Sequence, residues 1–140
     1  MSTIVIGFVP TPEGRAAVRH GAREARLRGS SIVLVASARG RELDSEDQTD
    51  IERALEAARQ RLVAMGLQAT VRQLARGKEP SQDLCAVADE LHAELIVIGL
   101  RRRSPVGKLI MGSNSQQILL DASVPVLAVK ASAEDISPEL

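Results

Sequence analysis

Four cations, Arg101, Arg102, Arg103 and Lys108, crowd into one stretch that runs on to Gly112, Ser113, Asn114 and Ser115. A glycine followed by short polar residues suits the opening of a helix, whose first amides have no intrahelical acceptor and point at any anion in front of them. Arginine adds bidentate bonds to phosphate oxygens, a serine hydroxyl adds a donor, and glycine lets the backbone come close. One reading is therefore a phosphate cradle. The other is a solvated basic loop tip before an ordinarily capped helix. A Walker A loop is excluded: Gly107 and Lys108 adjoin, but Leu109 stands where a Ser or Thr would hold magnesium, and no glycine precedes at the required spacing.

The remaining chemical candidates have plainer explanations. Cys85 lies beside an apolar helical stripe, where a thiol serves as a small hydrophobe. His20 and His92 fall on separate helices without metal-ligand spacing. Glu13 occupies a helix first turn, where a carboxylate complements the dipole, and neither it nor Asp121 has a recognisable catalytic partner.

The elements that must position these residues alternate. Residues 3–9, TIVIGFV, read as a strand buried on both faces and stop at Pro10. Thr11 caps a helix with Pro12 at its first position, which runs along Ala16, Ala17, Gly21, Ala22 and Ala25 to Arg28 and a glycine stop at Gly29. Residues 31–37 form a second strand ending at Ser37, and 38–50 read as a polar surface loop. Ile51, Leu55, Ala58, Leu62 and Met65 recur at helical spacing up to Gly66. A poorly alternating strand follows at about 68–75. Pro80 opens a third helix with Leu84, Val87, Ala88 and Leu91 on one face, and 95–98, LIVI, is the most hydrophobic strand. A loop of about a dozen residues leads to a short helix over 113–120, and 124–130, VPVLAVK, closes the series. Strict alternation predicts one doubly wound α/β domain, a five-stranded parallel sheet with helices on both faces. In such a sheet ligands sit beyond the carboxyl ends of the strands, here Val9 to Thr11, Ser37 to Gly40, and Gly99 onward.

Composition narrows the partners. The chain has 140 residues, and its 18 basic and 18 acidic side chains cancel, leaving no field to draw nucleic acid. Phe8 is the only aromatic residue, so base-stacking platforms are missing. A single cysteine makes no internal disulfide, and no apolar run approaches the roughly 20 residues of a membrane span. The amino terminus has neither the basic segment nor the cleavage site of a secretory signal, so a cytoplasmic protein without nucleic-acid or membrane partners is expected.

The segment from Gly99 to Ser113, flanked by LIVIG and VPVLAVK, resembles the universal stress protein family. That family's nucleotide signature is Gly, two residues, Gly, nine residues, Gly, then Ser or Thr. This chain keeps the frame with Gly99, Arg102, Gly112 and Ser113, the second glycine being replaced by arginine. Where ATP-binding members resemble one another in an Asp-Gly-Ser type turn, this chain reads Val9, Pro10, Thr11.

The resemblance implies strand order 3-2-1-4-5 in a Rossmann-like fold and a universal stress protein domain over 1–130, while residues 131–140 read from the sequence as a flexible tail. It implies an adenine nucleotide, ATP with magnesium, bound as a regulatory ligand with weak or no hydrolysis. Val9, Pro10, Thr11, Ser37, Ile98, Gly99, Arg102, Gly112, Ser113, Asn114 and Ser115 occupy the matching positions. It also implies a homodimer through strand 124–130, an edge strand with Pro125 at its start. The competing reading is a family member that has lost nucleotide through Val9 and Arg102 and acts as a dimeric interaction module. A small hydrolase is disfavoured, since no nucleophile, base and orienter assemble from these residues.

Overall fold

The computed structural model describes residues 2–37, 45–74, 79–100 and 112–135. Five strands, β1 (Thr3–Gly7), β2 (Ser31–Ser37), β3 (Ala69–Leu74), β4 (Leu95–Leu100) and β5 (Val126–Lys130), form one parallel sheet in the order β3-β2-β1-β4-β5. Four helices alternate with them: α1 (Pro12–Arg28), α2 (Ser45–Ala64), α3 (Pro80–Glu90) and α4 (Ser113–Asp121). The expected fold class and strand order are both found.

The pleat divides the core into two layers, because successive strand residues face opposite sides. Ile4, Ile6, Ile32, Leu34 and Val97 meet α1 and α2 on one face; Val5, Val33, Val35, Ile96 and Ile98 meet α3 and α4 on the other. The small residues of α1, Ala16, Ala17, Gly21, Ala22 and Ala25, are buried and bring that helix close to the sheet. A Cβ at Gly21 would stand 2.3 Å from Ile6 Cδ1.

Helix ends follow the local sequence. The Thr11 hydroxyl accepts from the Gly14 amide at 3.3 Å, and Gly29 closes α1 at φ 68°. Gly66 closes α2 at φ 86°, with the Leu67 amide reaching back to Leu62 O at 3.1 Å. The third such closure has no glycine: His92, exposed after α3, takes φ 51° while the Ala93 amide bonds Ala88 O at 2.9 Å. A side chain in this left-handed conformation is strained.

The structure departs from the sequence reading in three places. Strands end earlier or begin later than the apolar runs: β1 stops at Gly7, although the Phe8 amide still bonds Val35 O at 2.8 Å, and β5 starts at Val126, with Pro125 O accepting from the Ile96 amide at 2.9 Å. Helix α2 begins at Ser45, not near Ile51, because 45–50 carries no apolar residue and periodicity registers only turns that pack. The rest of the expected loop, 38–44, lies outside the described residues.

The third departure concerns the expected tail. Residues 133–135 form a 3-10 turn against α1. Asp135 is buried, and its carboxylate accepts from Arg19 Nε at 3.0 Å and Nη2 at 2.9 Å, and from the Ser132 amide at 2.8 Å; Arg15 Nε donates to its carbonyl at 2.7 Å. Hydrogen bonds from Arg19 outweigh burial and hold the carboxyl at about 2, down from 3.8. Residues 136–140 lie outside the described residues.

Candidate functional site

The winding reverses at β1, which pairs with β2 on one side and β4 on the other, and it is above the carboxyl ends of strands at such a switch point that doubly wound sheets take their ligands, here β1 and β4. Two glycines are tightly packed there. A Cβ at Gly14 would lie 1.7 Å from Val9 O, and one at Gly99 would lie 2.1 Å from Glu13 O. The turn after β1, the first turn of α1 and the end of β4 are thus in direct backbone contact. A third glycine, Gly7, faces Leu84 Cδ2 at 3.1 Å and Ile98 Cγ2 at 3.4 Å from its Cβ position, which places the first turn of α3 over the end of β1.

The predicted residues distribute as follows. Val9 and Pro10 are exposed; Thr11 is half-buried, its amide bonded to Val9 O at 2.9 Å and its hydroxyl committed to the α1 cap. Ile98 is buried in the α3 layer and Gly99 is half-buried. Ser37 ends β2, one strand away, in register with Leu74. Gly112, Ser113, Asn114 and Ser115 open α4. Pro125, just beyond the carboxyl end of α4, bonds the amino half of β4, so the opposite end of α4 faces the carboxyl edge of the sheet. Arg102, with Arg101, Arg103 and Lys108, lies outside the described residues.

The start of α4 leaves its first amides without a side-chain cap. Gly112 has φ −69° and ψ 161° and supplies no side-chain cap, no acidic residue occupies the first turn, and the first helical bond is Gln116 N to Gly112 O at 3.0 Å. The amides of 113–115 precede that bond, at the positive end of the helix dipole. A Cβ on Gly112 would meet nothing within 4 Å, so this side is open.

One feature falls outside the sequence reading. Asp83, in the first turn of α3, is only 6% exposed, and its Oδ2 has no hydrogen-bond partner among the described residues. Its only sequence signal is an acid beside the apolar stripe of Leu84, Val87 and Ala88. Cys85 is half-buried, and burial first, then the charges of Asp121 and Asp89, raise its thiol above the usual range. No group of three or more His, Cys, Asp or Glu that could hold a metal occurs among the described residues, and no described helix is long and apolar enough to cross a membrane.

Comparison with known proteins agrees with this architecture. A model of the universal stress protein family matches residues 1–130. A universal stress protein of Mycolicibacterium smegmatis is 38% identical over 133 residues, covering 91% of this chain and 96% of its own. A solved universal stress protein from Archaeoglobus fulgidus superimposes with a TM-score of 0.81 at 36% identity, covering 91% of this chain and 98% of that one. An Archaeoglobus fulgidus universal stress protein in complex with dAMP gives 0.76 at 31% identity, over 91% and 97% of the two chains.

Proposed function

Because this chain belongs to the universal stress protein family, we propose that it binds an adenine nucleotide across the carboxyl edge of its sheet, with the phosphates on the first turn of α4. The observation that carries the reading is that turn: uncapped, free of acidic residues and open on the Gly112 side. The solved relative that holds dAMP, 31% identical over 91% of this chain, supports the adenine nucleotide as the ligand class. Within that class we assign ATP as a regulatory ligand, hydrolysed slowly or not at all.

In this reading the amides of Ser113, Asn114 and Ser115 hold phosphate oxygens, Gly112 admits them, and Arg102 pairs with the tail. Val9, Pro10, Thr11, Ser37, Ile98 and Gly99 wall the nucleoside. These residues fit phosphate better than its metal, since the Val9 side chain offers magnesium no oxygen. Magnesium would therefore travel with the ATP phosphates. The same reading places the protein in the cytoplasm.

A second reading rests on its own observations. Val9 is 43% exposed where ATP-binding relatives are expected to carry an acid, Leu119 and Leu120 of α4 are exposed, and Val126, Leu127 and Ala128 of the edge strand β5 are only half-buried. A chain that has lost nucleotide would act through a homodimer on residues 124–130. The dimer is compatible with nucleotide binding; the loss is not.

Calorimetry with AMP, and with ATP and magnesium, up to millimolar ligand separates the two. Saturable heat is the expected result, and its absence for both nucleotides overturns the binding reading in favour of the interaction module. Since the chain contains no Trp or Tyr, a co-purified purine would also dominate its ultraviolet absorbance.

A further inference from the structure

We propose that Asp83 is a specificity residue of this site, its buried Oδ2 accepting a hydrogen bond from the exocyclic amine of adenine; this rests on the nucleotide reading above. A buried carboxylate oxygen without a donor bears its full desolvation cost, and native structures keep few such groups without a reason. Asp83 is 6% exposed, and its Oδ2 lacks a partner among the described residues. Its neighbour Leu84 comes within 3.1 Å of the Gly7 Cβ position, so this turn of α3 stands over the end of β1.

Helical periodicity fixes the flank. Cys85 feels the charge of Asp121 on α4, and Asp89 accepts from the Ser123 hydroxyl at 2.5 Å, so the side of α3 bearing residues 81, 85 and 89 faces α4. Glu90, seven residues beyond Asp83 and on its flank, pairs with Arg72 of β3. Asp83 therefore lies on the side of α3 turned towards β2 and β3, away from the phosphate-facing start of α4. Crossing one helix takes about 10 Å, which carries a nucleotide anchored by its phosphates from the sugar to the far edge of its base. At that edge adenine presents an N–H donor, which a carboxylate oxygen accepts; a 6-oxo purine presents an oxygen, which it repels.

The test compares AMP with purine riboside 5′-monophosphate, identical except for the missing amine, by calorimetry on the full chain. Wild type should bind AMP about tenfold tighter, the worth of one such hydrogen bond at about 1.4 kcal/mol. Asp83→Ala should lose that tenfold for AMP, leave the analogue unchanged and melt at a higher temperature without ligand. Asp83→Asn, which keeps an acceptor oxygen, should restore part of the discrimination.

Equal affinity of wild type for both nucleotides overturns the proposal while leaving the nucleotide site standing. So does an equal loss of both in Asp83→Ala, which would mark a structural residue, and so does a lowered melting temperature with AMP affinity intact, which would mark a buried water or chain partner. Wild type that binds neither nucleotide overturns the parent reading and this one together.

Discussion

The Asp135 clasp predicts a pH-dependent share of stability that Asp135→Asn should remove. The carboxyl sits at about 2 in the folded chain against 3.8 for an ordinary aspartate, a difference worth about 2 kcal/mol. That figure is an upper one, because the Arg19 side chain is 38% exposed and solvent screens its half of the pair. The folded value lies below the unfolded one, so the contribution is complete above pH 3.8 and fades as pH falls towards 2. Asparagine keeps the shape and carries no charge. Urea unfolding should therefore show the variant weaker by up to about 2 kcal/mol near neutrality, or about 6 °C in melting temperature, with the two proteins converging on acidification. A gap that stays constant with pH would refute the ionic account, and no gap at neutrality would refute the clasp.

Gly112→Val should fold normally, since its Cβ enters open space at φ −69°, and should lower nucleotide affinity at least tenfold by calorimetry. Gly99→Ala should instead destabilise the chain by about 1–3 kcal/mol in urea, because its Cβ meets Glu13 O rather than a movable side chain. His92→Gly should stabilise it by about 1 kcal/mol, relieving the φ of 51° after α3, read as a rise in the denaturation midpoint. Cys85 should react with iodoacetamide near neutral pH more slowly than a free thiol, and Asp121→Asn should quicken it, since burial and then the Asp121 charge hold the thiol protonated.

Much of this was legible because local chemistry and burial coincide. Thr11, Pro12 and Gly29 mark both ends of α1, and the small residues between them show its inner face. The spacing of Gly99, Gly112 and Ser113 survives as pattern even with arginine at 102. What stayed hidden depends on tertiary neighbours. The need for glycine at 14 and 99 comes from the carbonyls of Val9, across a turn, and of Glu13, on the helix packed against β4. The burial of Asp83 needs α3 seated on β1, and the order of residues 131–135 needs Arg19, more than a hundred positions earlier. Residues 45–50, SEDQTD, include no apolar residue, so no periodicity announces the start of α2.

The two rims of the sheet are dressed differently. Along β3, Thr70, Val71 and Gln73 are exposed and Arg72 is engaged by Glu90, while β5 presents Val126, Leu127 and Ala128 half-covered. Strand-by-strand growth needs two receptive rims; a sheet with one can add a single copy through a two-fold axis and is then sealed. In the proposed dimer on residues 124–130 the polar β3 rim would face outward at both ends and offer no receptive edge to a third copy.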